Sequence, residues 1–304
     1  MVVFILLGLT LVLALGSMFL LWIAAARPLQ YSRSLVFLSL SLALFVYLYG
    51  AWVFLSVYAK YTFGALFVLV VIAAMQRKRK DNVRLRPAWT HWANRIIAIV
   101  LCVLIVLYFT GTTGLPRQVK MGLPFKHGHY FVLQGGKGLP TNLFHYSLRG
   151  AVYAMDIVKL DQYGRRANTV FSSNLHDYVS FGDTIYAPCD GHVIGAFNTN
   201  PDNIPPNMKR GPTNTNQVLL ETSTCYIFMG HMRKGSVMVR VNDWVKKGDP
   251  LGCIGNSGFS AEPHLHIQVH MKDGNTPWYK CPPLYILFDE KGYLLNEVIN
   301  ADKQ

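Results

Sequence analysis

Histidines recur at alternate positions in one short stretch of the sequence, Pro263–His270. Alternate residues of a β-strand share a face, so these imidazoles would point one way and the apolar residues between them the other. The side chains on the polar face are His264, His266, Gln268 and His270. Two imidazoles on one strand face can reach a common centre, as a zinc site requires. A hydrated polar face is the commoner explanation for such a pair, so other residues have to decide.

Several further segments in the same half of the chain carry short turn and strand motifs. They are Tyr153–Asp156, Tyr186–Val193, Tyr226–Met232, Trp244–Asp249, Gly255–Gly258 and Pro263–His266. Their composition and order resemble the lysostaphin/LytM-type zinc metallopeptidases over about residues 144–271. The resemblance implies a mostly antiparallel β domain of the duplicated-hybrid-motif type. It also implies a zinc-dependent endopeptidase.

The resemblance further implies a set of site residues. Asp156, His266 and the upstream His145 would bind one zinc ion. His231 and His264 would stand beside the metal as catalytic residues. Two nitrogens and one carboxylate leave the fourth tetrahedral position open, as in catalytic zinc sites. The flanking imidazoles would take a proton from the attacking water and stabilise the oxyanion that forms at an amide carbonyl.

The position of the first ligand departs from the pattern of the family. Its first histidine usually lies a few residues before the aspartate, whereas ten residues separate His145 from Asp156. Some relatives are similar to this chain in having an insertion before the aspartate strand. His127 and His129, in a stretch rich in glycine and lysine, are the alternative ligands.

Short runs rich in Val, Ile, Tyr and Phe, separated by turn residues, are typical of a β-rich domain. The predicted strands include Thr184–Ala187, Gln217–Glu221, Tyr226–Met229 and Ser236–Val241. The stretch Asn198–Asn216 contains four prolines and is predicted to be a long irregular loop. Long loops in compact domains often form the walls of functional sites.

The first third of the chain is strongly apolar and predicts an α-helical membrane anchor of about four spans. Met1–Ala26 is long enough to cross a membrane, because about 20 residues at ~1.5 Å each span the hydrocarbon core. Ser34–Met75 is too long for one span and predicts a hairpin that turns near Tyr58–Tyr61. Ile96–Thr110 is the fourth candidate.

Basic loops orient these spans. Gln76–Arg95 carries seven Lys and Arg residues, and Arg27 and Arg33 flank the first loop, so both loops are expected in the cytoplasm. Four spans then place both termini outside a cytoplasmic (inner) membrane, with the C-terminal domain extracytoplasmic. If Lys60 shortens the hairpin to one span, the N-terminus moves inside and the C-terminal domain stays outside.

The net positive charge is also concentrated in the apolar first part of the chain. Residues 1–114 hold ten Lys and Arg against one acid, and residues 115–304 hold nineteen against fifteen. A nucleic-acid-binding protein would concentrate basic residues on its soluble part, so this class is set aside. We expect an anchor over 1–114, a linker or lead-in over 115–138 and the β domain over 139–304.

Four of the five cysteines lie in the soluble part. They are Cys189, Cys225, Cys253 and Cys281. In an exported domain we expect at least one disulfide among them, with Cys189 and Cys225 as one candidate pair.

Three classes of function remain. The first, a hydrolase of peptidoglycan peptides, rests on the resemblance and the extracytoplasmic placement. The second is a catalytically silent module that activates or scaffolds other cell-wall enzymes, and a four-span anchor leaves room for a protein partner in the membrane. The third is a lipoyl- or biotinyl-type carrier, which Phe181–Pro188 and Val245–Asp249 resemble. No lysine in the sequence has the flanking residues of a carrier hairpin.

Overall fold

The computed structural model divides the chain into two compact units, Met1–Phe109 and Thr110–Gln304. Each unit is described by itself below. The residues described are 2–78, 87–114, 117–209 and 214–303.

The first unit is helical. Among its described residues, four helices are long and apolar enough to cross a membrane, in agreement with the predicted number of about four spans. Their bounds are α1 Val2–Ala25, α2 Leu29–Tyr49, α3 Val57–Gln76 and α4 Ala88–Phe109. Four of the seven basic residues that orient the loop between α3 and α4 lie at positions 79–86, outside the described residues.

The turn between α2 and α3 lies earlier than predicted. It occupies residues 50–56, whereas Tyr58–Tyr61 is inside α3, so the prediction of a turn near those tyrosines was wrong. A Cβ on Gly50 would lie 2.5 Å from the carbonyl oxygen of Val46, so this close turn requires glycine. The Ser56 side chain accepts a hydrogen bond from the Tyr58 amide and begins α3. Gly50 and Ser56 were the sequence signals for this turn.

The second unit is built on a ten-stranded sheet and a separate two-stranded sheet, within its described residues. The strands are β1 Gln118–Met121, β2 His129–Gln134, β3 Met155–Leu160, β4 Thr184–Tyr186, β5 Gly191–Phe197, β6 Gln217–Glu221, β7 Cys225–Gly230, β8 Trp244–Val245, β9 Pro250–Cys253, β10 Leu265–Met271, β11 Pro283–Phe288 and β12 Val298–Asn300. A short helix, α5 Leu143–Tyr146, precedes β3. Pairing is antiparallel except between β1 and β11, as the predicted fold class requires.

Strand β10 lies near the middle of the larger sheet, whose main path runs β12-β2-β3-β10-β7-β6-β5-β8. Its apolar residues Leu265, Ile267 and Val269 are at most 1% exposed. Burying each of these side chains stabilises the fold by about 1.5–3 kcal/mol. Because β10 alternates, this burial fixes the direction of its histidines as well.

The segment expected to be a linker or lead-in contains two strands of the sheet. Within residues 115–138, β1 pairs with β11, and β2 pairs with both β12 and β3. Tyr130, Phe131 and Val132 of β2 are at most 1% exposed. The polar and glycine residues around β2 masked this strand in the sequence, because its apolar run is only a few residues long.

The predicted strand Ser236–Val241 is not a strand in the structure. The segment is instead fixed by single hydrogen bonds to different neighbours. The amide of Val237 donates to Oδ1 of Asn198, and that of Met238 donates to the carbonyl of Leu251. Alternating apolar residues therefore pack on the core here without forming a ladder.

The predicted disulfide was also wrong, because all five cysteines are free thiols in the structure. Cys225 has a local hydrogen-bonding partner, since its sulfur lies 3.3 Å from Oγ1 of Thr222. The Cys281 thiol lies 3.5 Å from the carbonyl of Thr276. Burial raises the pKa of the Cys189 thiol to about 11, which keeps this group protonated and a poor nucleophile at neutral pH.

Candidate metal centre

The sheet register brings together two residues that lie far apart in the sequence. His266 of β10 pairs directly with Asp156 of β3, and Nδ1 of His266 lies 3.0 Å from Oδ1 of Asp156. His145 of α5 completes the cluster, with its Nε2 3.4 Å from Oδ2 of Asp156. One nitrogen or oxygen of each residue lies within 4.8 Å of the others. All three side chains are buried.

The ten residues between His145 and Asp156 form a compact return. After α5 the chain forms a 3-10 helix over Arg149–Ala151 and then enters β3. Asn142 is fully buried and joins the start of α5 to the residues just before β3. Its amide nitrogen donates to the carbonyls of Val152 and Ala154, the latter at 2.8 Å. The long spacing is therefore compatible with His145 and Asp156 meeting at one point.

Asn142 also determines which nitrogen of the His145 ring carries the proton. Because its Nδ2 already donates to backbone carbonyls, its Oδ1 is the atom that faces Nδ1 of His145, at 2.9 Å. An oxygen can only accept, so the proton of His145 lies on Nδ1. The lone pair of Nε2 is then directed at Asp156, in the form in which an imidazole binds a metal.

A longer chain of hydrogen bonds, here called the relay, determines which nitrogen of the His266 ring carries the proton. Nδ1 of His270 lies 2.8 Å from the carbonyl of Cys281, which can only accept, so Nε2 of His270 carries a lone pair. This lone pair accepts from the Gln268 amide nitrogen at 3.1 Å. Oε1 of Gln268 is left to accept from Nε2 of His266 at 3.0 Å. The lone pair of His266 is therefore on Nδ1, which faces Asp156.

His231 and His264 lie beside this cluster, with their ring centroids 4.8 Å apart. Nδ1 of His231 lies 2.8 Å from the carbonyl of Ser257, and Nδ1 of His264 lies 2.8 Å from that of Glu262. Both protons are thus held on Nδ1, and both Nε2 atoms carry lone pairs. Nε2 of His264 lies 3.4 Å from Oδ1 of Asp156.

The backbone of His231 is strained in a way that fits a functional position. Its φ is +64°, a left-handed conformation that residues with a Cβ seldom adopt. The amide of Gly255 donates to the His231 carbonyl at 3.0 Å and helps to hold it there. Such strain costs about 1–3 kcal/mol and is concentrated at functional sites.

The electrostatics favour an ionised Asp156 and an uncharged His231. Burial alone would raise the pKa of Asp156, but His145 and His264 hold it well below its usual value. Burial, followed by repulsion from His264 and His266, lowers the pKa of His231 well below its usual value. Burial also opposes the charged form of His264, but the Asp156 carboxylate outweighs it and raises the pKa of this ring.

Residues that sequence reasoning missed support the loop before β10. Glu262, whose carbonyl holds His264, has its carboxylate 3.2 Å from the guanidinium of Arg166. Arg166 is 2% exposed, and it also donates to the carbonyl of Val170. Asn142 was missed as well, although an asparagine three residues before a candidate ligand is a usable signal.

Two aromatic stacks flank the cluster. Phe144 stacks on Phe259 at 5.7 Å between centroids, and Phe228 stacks on Trp278 at 5.2 Å. The Phe228 ring also meets His266 edge-on at 5.8 Å. Apolar walls of this kind can bury the body of a peptide next to the polar centre.

The other histidines considered from the sequence lie elsewhere. His127 and His129 are exposed, and His127 lies 3.6 Å from the carboxylate of Asp302, so neither joins the cluster. His270 is fully buried and acts in the relay to His266. His192 is exposed and packs edge-on against Trp244.

Comparison with known proteins agrees with the resemblance seen in the sequence. Residues 175–277 match the model of peptidase family M23. His231, His264 and His266 lie within the matched segment. His145 and Asp156 lie upstream of it, and both reach the same cluster, Asp156 from β3 and His145 from α5. A search of the curated proteins finds no match.

Solved structures that match part of this chain include three peptidases. The catalytic domain of lysostaphin from Staphylococcus simulans is 25% identical, over 31% of this chain and 62% of that one, with a TM-score of 0.24. A zinc-containing peptidase from Vibrio cholerae is 21% identical over 36% and 28%, with a TM-score of 0.26. A putative peptidase M23 from Pseudomonas aeruginosa is 17% identical over 64% and 59%, with a TM-score of 0.28. The chain spans less than two thirds of the length of each.

Proposed function

We propose that the β domain is a zinc-dependent endopeptidase that hydrolyses peptide bonds of peptidoglycan, in cross-links or stem peptides. The observation that carries the proposal is the cluster of His145, Asp156 and His266, whose two imidazole lone pairs and one carboxylate face a common point. This donor set fits zinc, which binds nitrogen and carboxylate oxygen in catalytic sites and keeps one position open. The M23 segment supports the peptidase assignment.

The residues of this chain divide the chemistry between them. His145 would hold the metal through Nε2, His266 through Nδ1 and Asp156 through its carboxylate. When bound, zinc polarises a carbonyl and lowers the pKa of water towards ~7. His231 and His264 each present a lone pair at Nε2, so either ring can accept a proton during attack and donate it to the leaving amine.

The test is a metal analysis of the purified full-length chain together with digestion of purified peptidoglycan. We expect about one zinc per chain and new amino termini in the digest that disappear when a chelator removes the metal. Zinc without cleavage of peptidoglycan or model peptides would favour the catalytically silent module. Absence of zinc would reject the metal centre itself.

The proposed substrate requires that the helices lie in the cytoplasmic membrane and that the β domain lies on its extracytoplasmic side. The basic loop between α3 and α4 resists translocation, so four spans place both termini outside. We predict that alkaline phosphatase fused after Lys303 is active and that a cytoplasmic reporter at the same point is not. The opposite result would place the β domain in the cytoplasm and exclude peptidoglycan as its substrate.

The relay behind His266 gives a second prediction. Gln268→Leu removes the acceptor that keeps the His266 proton on Nε2, so we expect metal affinity to fall about 10–100-fold, as for other residues that orient a metal ligand. Gln268→Glu keeps an acceptor at this position and should restore most of the affinity. Competition with a chromogenic chelator measures both values.

Gln118→Leu is the matched control, because Gln118 is exposed at the start of β1. It should leave metal affinity unchanged. If Gln268→Leu binds zinc as tightly as the wild type, the relay does not position His266.

A further inference from the structure

The helical unit contains a cavity of about 320 Å³ between α2 and α4. Arg33, Ser34 and Phe37 line it from α2, and Arg95 and Ile99 line it from α4. One arginine from each helix therefore lines the same open groove, whose surface is mostly apolar. None of these residues has a part in the metal centre.

Within the described part of the helical unit, no carboxylate balances the charges of these two arginines. Arg33 and Arg95 are both exposed, and residues 2–78 and 87–109 contain no Asp or Glu. Two like charges that line one cavity repel each other, and an anion bound between them would remove the repulsion. The guanidinium fork matches the oxygens of a phosphate group and can bind it through two parallel hydrogen bonds.

The apolar residues that line the groove lie one helical turn from the two arginines. Phe37 follows Arg33 by four residues, and Ile99 follows Arg95 by four, so each apolar residue lies on the same helix face as its arginine. Oγ of Ser34 lies 3.0 Å from Nδ1 of His91, which joins the two helices.

The two arginines lie near the helix ends, at the level of a membrane interface. Arg33 is the fifth residue of α2 and Arg95 the eighth of α4, so at ~1.5 Å per residue both lie within about 12 Å of a helix end. Trp89 and Trp92 in the first turns of α4 are more than 60% exposed. Exposed tryptophans at a span end are typical of the headgroup level of a bilayer.

We infer that this cavity binds one anionic phospholipid. Its phosphate lies between Arg33 and Arg95, and the first part of an acyl chain packs on Phe37 and Ile99. Basic pockets between membrane helices are known to hold acidic headgroups, and here the apolar inner wall selects a lipid over free phosphate.

The test uses the full-length chain in nanodiscs that contain phosphatidylcholine with a minority of phosphatidylglycerol of the same acyl chains. Native mass spectrometry after release counts the lipids that remain bound. We expect the wild type to retain one phosphatidylglycerol in preference to phosphatidylcholine. Each basic residue near an anionic headgroup raises the affinity for that lipid about fivefold. Arg33→Gln with Arg95→Gln should therefore reduce the preference for phosphatidylglycerol about 25-fold.

Arg27→Gln with Lys78→Gln is the matched control, since it removes two positive charges from residues that do not line the cavity. It should change the preference less than twofold. An equal loss in the control would show a general charge effect and overturn the site. Displacement of the lipid by millimolar inorganic phosphate, or retention of a protein partner in its place, would overturn it as well.

The measurement of lipid retention by the wild type does not depend on the variants. If the double variant fails to fold, lipids of equal chain length but neutral or anionic headgroup are compared on the wild type alone. Equal retention of the two headgroups would reject the proposal.

Discussion

Alanine at Asp156 or His266 is expected to abolish both zinc binding and peptidase activity while the domain stays folded. Each change removes one of three donors, and the two that remain cannot enclose the ion. We expect the loss of metal affinity to exceed the ~10–100-fold effect of a residue that only orients a ligand. Metal analysis and the rate of peptidoglycan digestion measure the two losses on the same samples.

The fold should survive these changes, because the stability of β10 comes from its other face. Leu265 and Ile267 are fully buried in the core and are unchanged in these variants. Circular dichroism and the elution volume of the purified chain check this point. His192→Ala is the matched control, since this exposed histidine of the same sheet lies outside the cluster.

His145→Ala tests the ligand whose spacing from Asp156 departs from the family pattern. We expect the same loss of zinc as for the other two ligands, because Nε2 of His145 lies 3.4 Å from the Asp156 carboxylate. Full zinc content in this variant would show that His145 is not a ligand.

The local pattern of β10 was readable from the sequence because its period is two and its apolar residues are strong strand formers. The position of β10 between β3 and β7 was not readable. It depends on pairing between residues about 110 positions apart, as for His266 and Asp156. Only the family resemblance connected those two residues in advance.

The segments that sequence reasoning misassigned have a common physical cause. Strand β2 contains a short apolar run flanked by polar residues, so its burial depends on the neighbours that enclose it. The segment Ser236–Val241 has the alternation of a strand, but its hydrogen bonds to different neighbours do not form a ladder. In both cases tertiary contacts, rather than local preference, decide the structure.

The orientation of the site residues was likewise beyond the sequence. Asn142 and Gln268 are ordinary polar residues by composition, yet each fixes which nitrogen of a neighbouring imidazole carries the proton. That choice decides whether a histidine can bind a metal. It becomes visible only when the backbone carbonyls around these side chains are known.

Loss of His231 or His264 should have a different effect from loss of a ligand. Neither ring is needed to hold the ion, so we expect full zinc content. Each presents an Nε2 lone pair beside the cluster, so its loss should reduce turnover about 10²–10⁴-fold, the usual contribution of a general acid or base. The signature is therefore a metal-loaded, folded and nearly inactive chain.

The choice of substitution matters at His231, because its φ of +64° is unfavourable for alanine. Asparagine adopts this conformation more readily, so His231→Asn removes the imidazole with less strain. His264→Ala needs no such precaution. His176→Ala, a change at an exposed residue, should retain wild-type turnover and zinc.

The zinc content of His264→Ala also separates two accounts of the site. Nε2 of His264 lies 3.4 Å from Oδ1 of Asp156, the same separation that joins His145 to that carboxylate. If His264→Ala loses its zinc and His145→Ala retains it, the ligand set is Asp156, His264 and His266. If both variants of the flanking histidines keep zinc and full turnover, another group must transfer the proton and the proposed roles of His231 and His264 fail.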